Sequence, residues 1–174
     1  PLDSTTSAQL PEEKFIVGYT GTLGVANALD ILLDAAELLK DDSEVAFVVV
    51  GGGKEKPALQ RRAEQEGLKN VIFIDPIPKA QIQAMLQCFD VCFIGWDDEP
   101  LYQYGIGANK LPEYLFSGKP ILHSFSGACD PVAEARAGVT VPAEDALAIA
   151  DAVRKLKAMP ETERCAMGER GQVY

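Results

Sequence analysis

The sequence predicts an α/β fold, a doubly wound parallel sheet of about six strands with helices on both faces. Three observations carry this. Short apolar runs recur along the chain, near-continuously apolar instead of alternating, as strands buried on both faces are. Each run leads into a turn rich in Gly, Pro or Asp, and each turn leads into apolar residues at helical spacing. Such consecutive strand–helix units build a parallel sheet covered by helices. The 174 residues fit one domain with one substantial core.

Residues 1–13, PLDSTTSAQLPEE, are polar with two prolines and no periodicity, and read as a linker or edge. FIVGYT at 15–20 is the first strand. From about Ala26 to Leu39, Leu29, Leu32, Leu33 and Ala36 share one helical face while Asp30, Asp34 and Glu37 share the other. VAFVVV, VIFI, VCFI and PILHS continue the strands, and GVTV at 138–141 is a weaker sixth. Between them the spacing predicts helices near Lys56–Glu66, Lys79–Gln87, Lys110–Ser117, Pro131–Ala137 and Asp145–Ala158. Residues 14–160 form the domain, and 161–174, ETERCAMGERGQVY, reads as a helix cut short.

Composition narrows the function. With 16 Lys+Arg against 26 Asp+Glu the net charge is −10, which argues against a protein that tracks nucleic-acid phosphates on a basic face. A small anion remains compatible, because backbone N–H groups and a helix N-terminus can hold one. The longest apolar runs are far too short for a bilayer, and no basic-then-apolar leader opens the chain, so the expectation is a cytoplasmic protein. Cys88, Cys92, Cys129 and Cys165 form no CxxC, and His123 is the single histidine, so the reading is four buried free thiols and no metal site.

Ligands of such sheets sit outside the carboxyl ends of the strands, which directs attention to five loops. GYTGTLG places Gly18, Gly21 and Gly24 after the first strand, serving either a tight turn or close approach to a pyrophosphate. GGGKEK offers the same two readings, with Lys54 or Lys56 for an anion. DPIPK is a rigid turn whose edge also suits backbone recognition of a flat ring, since Ile77 is its internal residue that keeps an N–H. WDDEP is an exposed acidic loop or a carboxylate pair for acid–base or metal chemistry. In YGIGANKLPEYLFSGKP, Gly105 and Gly107 loosen a loop, Asn109 suits an N-cap, Lys110 begins a helix and Glu113 falls in its first turn. Glu113 there is either a dipole complement worth about 0.3–1 kcal/mol or a carboxylate for two ribose hydroxyls.

In their order, YTGTLG…LDILLDAAELL, VVVGGGKEKPAL, NVIFIDPIP, DVCFI, NKLPEYLFSGKPIL and GVTVPAEDALAIADAV resemble the C-terminal domain of the retaining group 1 (family 4) glycosyltransferases. The likeness spans about residues 15–170. It implies a Rossmann-like domain that is one half of a GT-B architecture, with a nucleotide-sugar donor site and an acceptor domain that would precede it. Of the family's two glutamates, the ribose-gripping one falls on Glu113 and the sugar-contacting one falls on Gly105, where no carboxylate exists. The family's Arg and Lys on the diphosphate fall on Thr22 and Asn27, leaving Lys110 and the backbone amides of Gly24 and Asn109 as phosphate candidates. The donor-site set is therefore Gly21, Thr22, Gly24, Asn27, Ile77, Gly105, Gly107, Asn109, Lys110 and Glu113, with no catalytic residue assigned.

The resemblance further implies sugar transfer with retention, no cofactor and no metal. YGIGANK looks like a branch of bacterial surface-polysaccharide assembly, which points to an N-acetylated amino sugar on UDP and a polysaccharide or lipid-linked acceptor. Peripheral membrane contact is expected of the full-length protein alone, and no turnover of this piece by itself. The alternatives are a UDP-sugar epimerase of the same architecture and a non-catalytic nucleotide-binding module.

Overall fold

The computed structural model describes residues 1–104, 107 and 109–174. Its centre is a six-stranded, all-parallel sheet: β1 (Phe15–Thr20), β2 (Val45–Val50), β3 (Val71–Ile74), β4 (Val91–Gly95), β5 (Ile121–Ser124) and β6 (Gly138–Val141). The spatial order is β3-β2-β1-β4-β5-β6. The chain builds outward from β1 in one direction, returns, and builds outward in the other. That reversal leaves a crevice between the carboxyl ends of β1 and β4, the place where doubly wound sheets receive ligands.

Burial on both faces explains why the strands were readable as continuous apolar runs. Along β1, Val17 and Tyr19 enter one core while Ile16 enters the other; along β2, Phe47 and Val49 part in the same way from Val48 and Val50. Helices α2 (Leu29–Leu38), α3 (Lys56–Gln65) and α7 (Ala146–Ala158) cover the first face through Leu32, Leu33, Leu59, Ile149 and Val153. Helices α4 (Ile82–Gln87), α5 (Leu111–Ser117) and α6 (Pro131–Ala135) cover the second through Met85, Leu86, Leu111, Tyr114 and Val132. The last helix, α8 (Glu161–Val173), lies against α5, α6 and β6.

Four expectations are corrected. Residues 1–13 are more than an edge: α1 (Ser4–Ser7) is capped by Asp3, whose carboxylate accepts from the Thr6 N–H (2.8 Å) and hydroxyl (2.9 Å). Leu2 and Leu10 on either side of it pack against the second core, which the polar average of the segment conceals. The helix expected from Ala26 is split into a 3₁₀ turn (Val25–Asn27) and α2, because Ala28 takes a left-handed conformation (φ 49°). Asn109 does not cap α5; Lys110 occupies the N-cap in αR conformation without a side-chain capping bond. Of the four thiols only Cys92 is buried, where the apolar core pushes its pKa up to about 12.

Among the described residues, no helix is long and apolar enough to cross a membrane.

Candidate functional site

The first loop is shaped by β2. Gly21 N–H donates to Val50 O (3.0 Å) and Leu23 N–H to Gly52 O (2.9 Å), extending the β1–β2 pairing past the strand ends. The triple glycine serves this contact. Gly51 has φ +148°, and a Cβ there would stand 1.9 Å from Gly21 O. Lys56, one of two cations offered by that loop, donates to Asp75 (2.7 Å) and Gly51 O (3.0 Å), so it ties the ends of β2 and β3 together.

On its other side β1 meets β4 only through Val17↔Val91 and Gly18↔Cys92. The N–H of Thr20 lies beyond that pairing, and the buried Tyr114 hydroxyl of α5 accepts from it at 2.9 Å. Tyr114 thus stands in for the missing strand and fixes α5 against the carboxyl end of β1. Replacing Tyr114 with phenylalanine is expected to lower stability by about 1–3 kcal/mol, since Thr20 N–H is then buried without its acceptor. Chemical denaturation measures it, and an unchanged midpoint rejects the role.

One turn earlier on the same helix, Lys110 reaches back over β1. Its Nζ donates to the Tyr19 hydroxyl (2.6 Å) and to Asn27 Oδ1 (2.8 Å), and lies 4.2 Å from the Tyr19 ring centre. Tyr19 Oη and Asn27 Nδ2 both donate to the carbonyl of Thr22, at 2.6 and 2.8 Å. The four residues close a ring of hydrogen bonds, and an ammonium has three donors, so among the described residues one N–H of Lys110 is left over for the cleft. Burial holds the amine's pKa down at about 8 and pushes the Tyr19 phenol up.

The cleft above this ring has a volume of ≈ 430 Å³ and is walled by Gly21, Thr22, Asn27, Asn109, Lys110 and Glu113, together with Trp96 and Gly107. That size suits a small-molecule site. Ile77 borders an adjoining cleft with Gly51, Gly52 and Pro76, reached past Gly21 and Thr22. The structure therefore groups seven of the ten expected residues around one space and places Ile77 next to it. Gly105 lies outside the described residues.

Gly24 lines a separate cleft with Asp30, Glu55, Asp97 and Glu144 and is not among the walls of the cleft that Lys110 faces. Asp97 of the acidic loop belongs to this second cleft, where burial and then Glu144 raise its pKa.

Sequence reasoning missed Trp96. It follows β4, and its indole N–H donates to His123 Nε2 at 3.0 Å. His123 is fully buried, its Nδ1 lies 2.9 Å from Asp130 Oδ1, and the Thr140 hydroxyl donates to the other Asp130 oxygen. Accepting at Nε2 requires the proton on Nδ1, so the network fixes the tautomer. Asp130 also caps α6 through Val132 and Ala133 N–H. Burial works against its charge, yet the bonds from His123 and Thr140 hold its pKa down at about 2. The only available signal was the lone tryptophan at a strand's carboxyl end.

Comparison with known proteins bears on this geometry. The family model of glycosyl transferases group 1 matches residues 14–158. Over 81 residues the chain is 33% identical to the putative colanic acid biosynthesis glycosyl transferase WcaI of Escherichia coli (strain K12), covering 47% of this chain and 20% of that protein. Over 170 residues it is 28% identical to D-inositol 3-phosphate glycosyltransferase of Corynebacterium urealyticum, covering 92% of this chain and 38% of that protein. The chain thus spans well under half the length of these curated relatives.

Among solved structures, sucrose-phosphate synthase from Thermosynechococcus elongatus superposes with a TM-score of 0.80 at 20% identity, over 96% of this chain and 42% of that one. Anabaena HepE in complex with UDP gives 0.75 at 18% identity, over 92% and 43%. At such identities the likeness is one of fold.

Proposed function

The chain belongs to the glycosyl transferases of group 1, and from that premise we propose that it is the donor-binding half of a sugar-transferring enzyme that uses a nucleoside diphosphate sugar. The observation that carries this is Lys110, held across the first loop by Tyr19 and Asn27 in the same cleft as Glu113. A diphosphate beside Gly21 and Thr22 meets the remaining N–H of Lys110, and a ribose between diphosphate and base meets Glu113. The base then enters the adjoining cleft, which Ile77 and Pro76 line.

Asn27 occupies the position at which the resemblance leads one to expect a lysine, and it orients the cation supplied by α5. In this reading Lys110 and backbone N–H groups stabilise the charge that develops on the leaving diphosphate, and the reaction needs no resident metal. Uridine is the proposed base, supported by the UDP in the HepE structure. A surface-polysaccharide acceptor is supported by the likeness to WcaI. Retention of configuration, an N-acetylated amino sugar and action at the inner face of the membrane complete the proposal. The acceptor belongs to a second domain in this arrangement.

Calorimetric titration of the 174-residue chain with UDP, GDP and UDP-N-acetylglucosamine tests the reading. UDP is expected to bind more tightly than GDP. Glu113→Gln is expected to weaken UDP by about ten- to a hundredfold, the scale of hydrogen bonds to a charged group. Absence of binding by all three at millimolar concentration rejects the reading.

A second reading, a nucleotide-binding module without chemistry, draws on Gly105, where no carboxylate is available to read a sugar. It predicts that UDP and every UDP-sugar bind alike.

A further inference from the structure

Trp96 stands at an unusual end point. Three polar side chains from three elements, the fully buried His123 on β5 and the partly buried Asp130 at the start of α6 and Thr140 on β6, are joined in one chain of hydrogen bonds that terminates on its indole N–H. Burying such groups is costly unless every one is paired, and a fully paired network fixes a single geometry. Filling space at the end of β4 would have required only apolar residues. What this arrangement achieves in addition is one orientation of one ring.

The ring is fixed on its flanks as well. Tyr102 meets it edge to face at 5.4 Å and 68°, and Phe125 at 6.5 Å and 65°; Phe125 in turn stacks on His123 at 4.8 Å. With its N–H engaged, the indole has no hydrogen bond left for a ligand. It still lines the cleft, so the contact it offers there is apolar and aromatic.

Sheet order says which part of a ligand arrives at that surface. The Ile77 cleft belongs to the ends of β2 and β3, Gly21 to the end of β1, and Trp96 to the end of β4. Neighbouring strands lie about 4.8 Å apart, so β3 and β4, three steps from one another, are about 14 Å apart. A nucleoside diphosphate laid along this edge, with its base at β3 and its phosphates at β1, puts whatever the second phosphate carries at β4.

We propose that Trp96 is the platform for the donor sugar and selects which sugar the protein accepts, with His123, Asp130 and Thr140 as positioning residues that fix its indole plane. The ligand class is a pyranose, whose C–H face is apolar and matches an aromatic face, while its rim of hydroxyls is left to other groups. Because Gly105 brings no carboxylate, selection at this end rests on the shape of that face. This inference rests on the donor-site reading above.

Trp96 is the only tryptophan of the chain, so its emission reports the platform directly. The experiment compares UDP with UDP-glucose, UDP-galactose, UDP-N-acetylglucosamine and UDP-N-acetylgalactosamine by calorimetry and intrinsic fluorescence. At least one sugar nucleotide is expected to bind about three- to tenfold more tightly than UDP and to change the emission beyond the change caused by UDP. Trp96→Leu is expected to remove that increment, weakening the preferred sugar nucleotide by more than it weakens UDP, and Trp96→Phe, the conservative variant, to retain part of it. Thr140→Val, remote from the cleft, is expected to shrink the increment with the indole still present.

Equal effects of UDP and all four sugar nucleotides overturn the proposal and leave the nucleotide reading standing. Equal weakening of UDP and the sugar nucleotides by Trp96→Leu also overturns it, making Trp96 a structural prop. Failure of UDP itself to bind the native chain overturns both.

Discussion

Replacing Lys110 with methionine is expected to weaken UDP binding by about ten- to a hundredfold at neutral pH, the loss of one charge-assisted hydrogen bond with its cation. The variant keeps the length and much of the apolar stem of the side chain, so Tyr19 and Thr22 keep their packing. The pH dependence is the sharper readout. With the free amine's pKa held down at about 8 by burial, the native protein presents a cation below pH 8 and loses it above. Affinity for UDP is therefore expected to be full on the acid side and to fall as pH rises through that region. The methionine variant is expected to be flat there.

Stability runs in the opposite sense. The folded pKa lies below the unfolded value of 10.5, so the unfolded chain holds the proton more tightly, and folding carries a cost below about pH 8 that disappears above 10.5. Removing the amine is thus expected to leave stability at pH 7 unchanged or raised while binding falls. A parallel loss of both rejects the assignment of Lys110 to the ligand.

The second large effect is expected at Gly168, far from the cleft opening. A Cβ on Gly168 would stand 1.7 Å from the carbonyl oxygen of Gly118 and 2.3 Å from its carbon, both backbone atoms at the end of α5. Neither can yield without moving a helix. Gly168→Ala is expected to cost about 3 kcal/mol or more, the upper range for overpacking, and to lower the midpoint of thermal unfolding by about 6–12 °C. Gly171 on the same helix is the internal control. A Cβ there meets Ala137 Cβ at 3.1 Å and Leu115 Cδ2 at 3.2 Å, tight contacts that side chains can relieve by small shifts. Gly171→Ala is expected to cost far less, because the roughly 1 kcal/mol gained in helix propensity on going from Gly to Ala offsets its milder contacts, and equal losses at 168 and 171 would reject the backbone contact as the cause.

The parallel sheet was legible because burial on both faces leaves an unbroken apolar signature. FIVGYT, VAFVVV, VIFI and GVTV coincide with β1, β2, β3 and β6. Strand order was not legible, since apolar runs carry no record of their neighbours. At the cleft, Lys110 and Glu113 were visible because cation and carboxylate lie three residues apart in one short segment.

What the sequence concealed were partners distant along the chain. Tyr19 and Tyr114 looked like core aromatics, and so their bodies are; their hydroxyl roles depend on which strand ends first. His123 looked like a histidine in an apolar run. Only the fold brings Trp96, 27 residues earlier, and Thr140 to either end of its network. Asn109 fitted a capping preference, which was outvoted when Lys110 took helical geometry and moved the cap by one residue.

The contacts that assemble the cleft span long stretches of chain: 94 residues from Thr20 to Tyr114 and 91 from Tyr19 to Lys110. The β1–β2 and β2–β3 pairings close much shorter loops. Closing a longer loop carries a larger entropic cost before any contact rewards it, so local pairings lead and distant ones follow. The expected order of folding is a β1–β2–β3 nucleus first and the Lys110–Tyr19 clasp among the last steps, and residue-by-residue folding kinetics would check it. A nascent chain that has not yet emitted residue 114 holds a first loop with neither its cation nor its anchor. In that order the cleft forms late, after the sheet edge that bears its first loop.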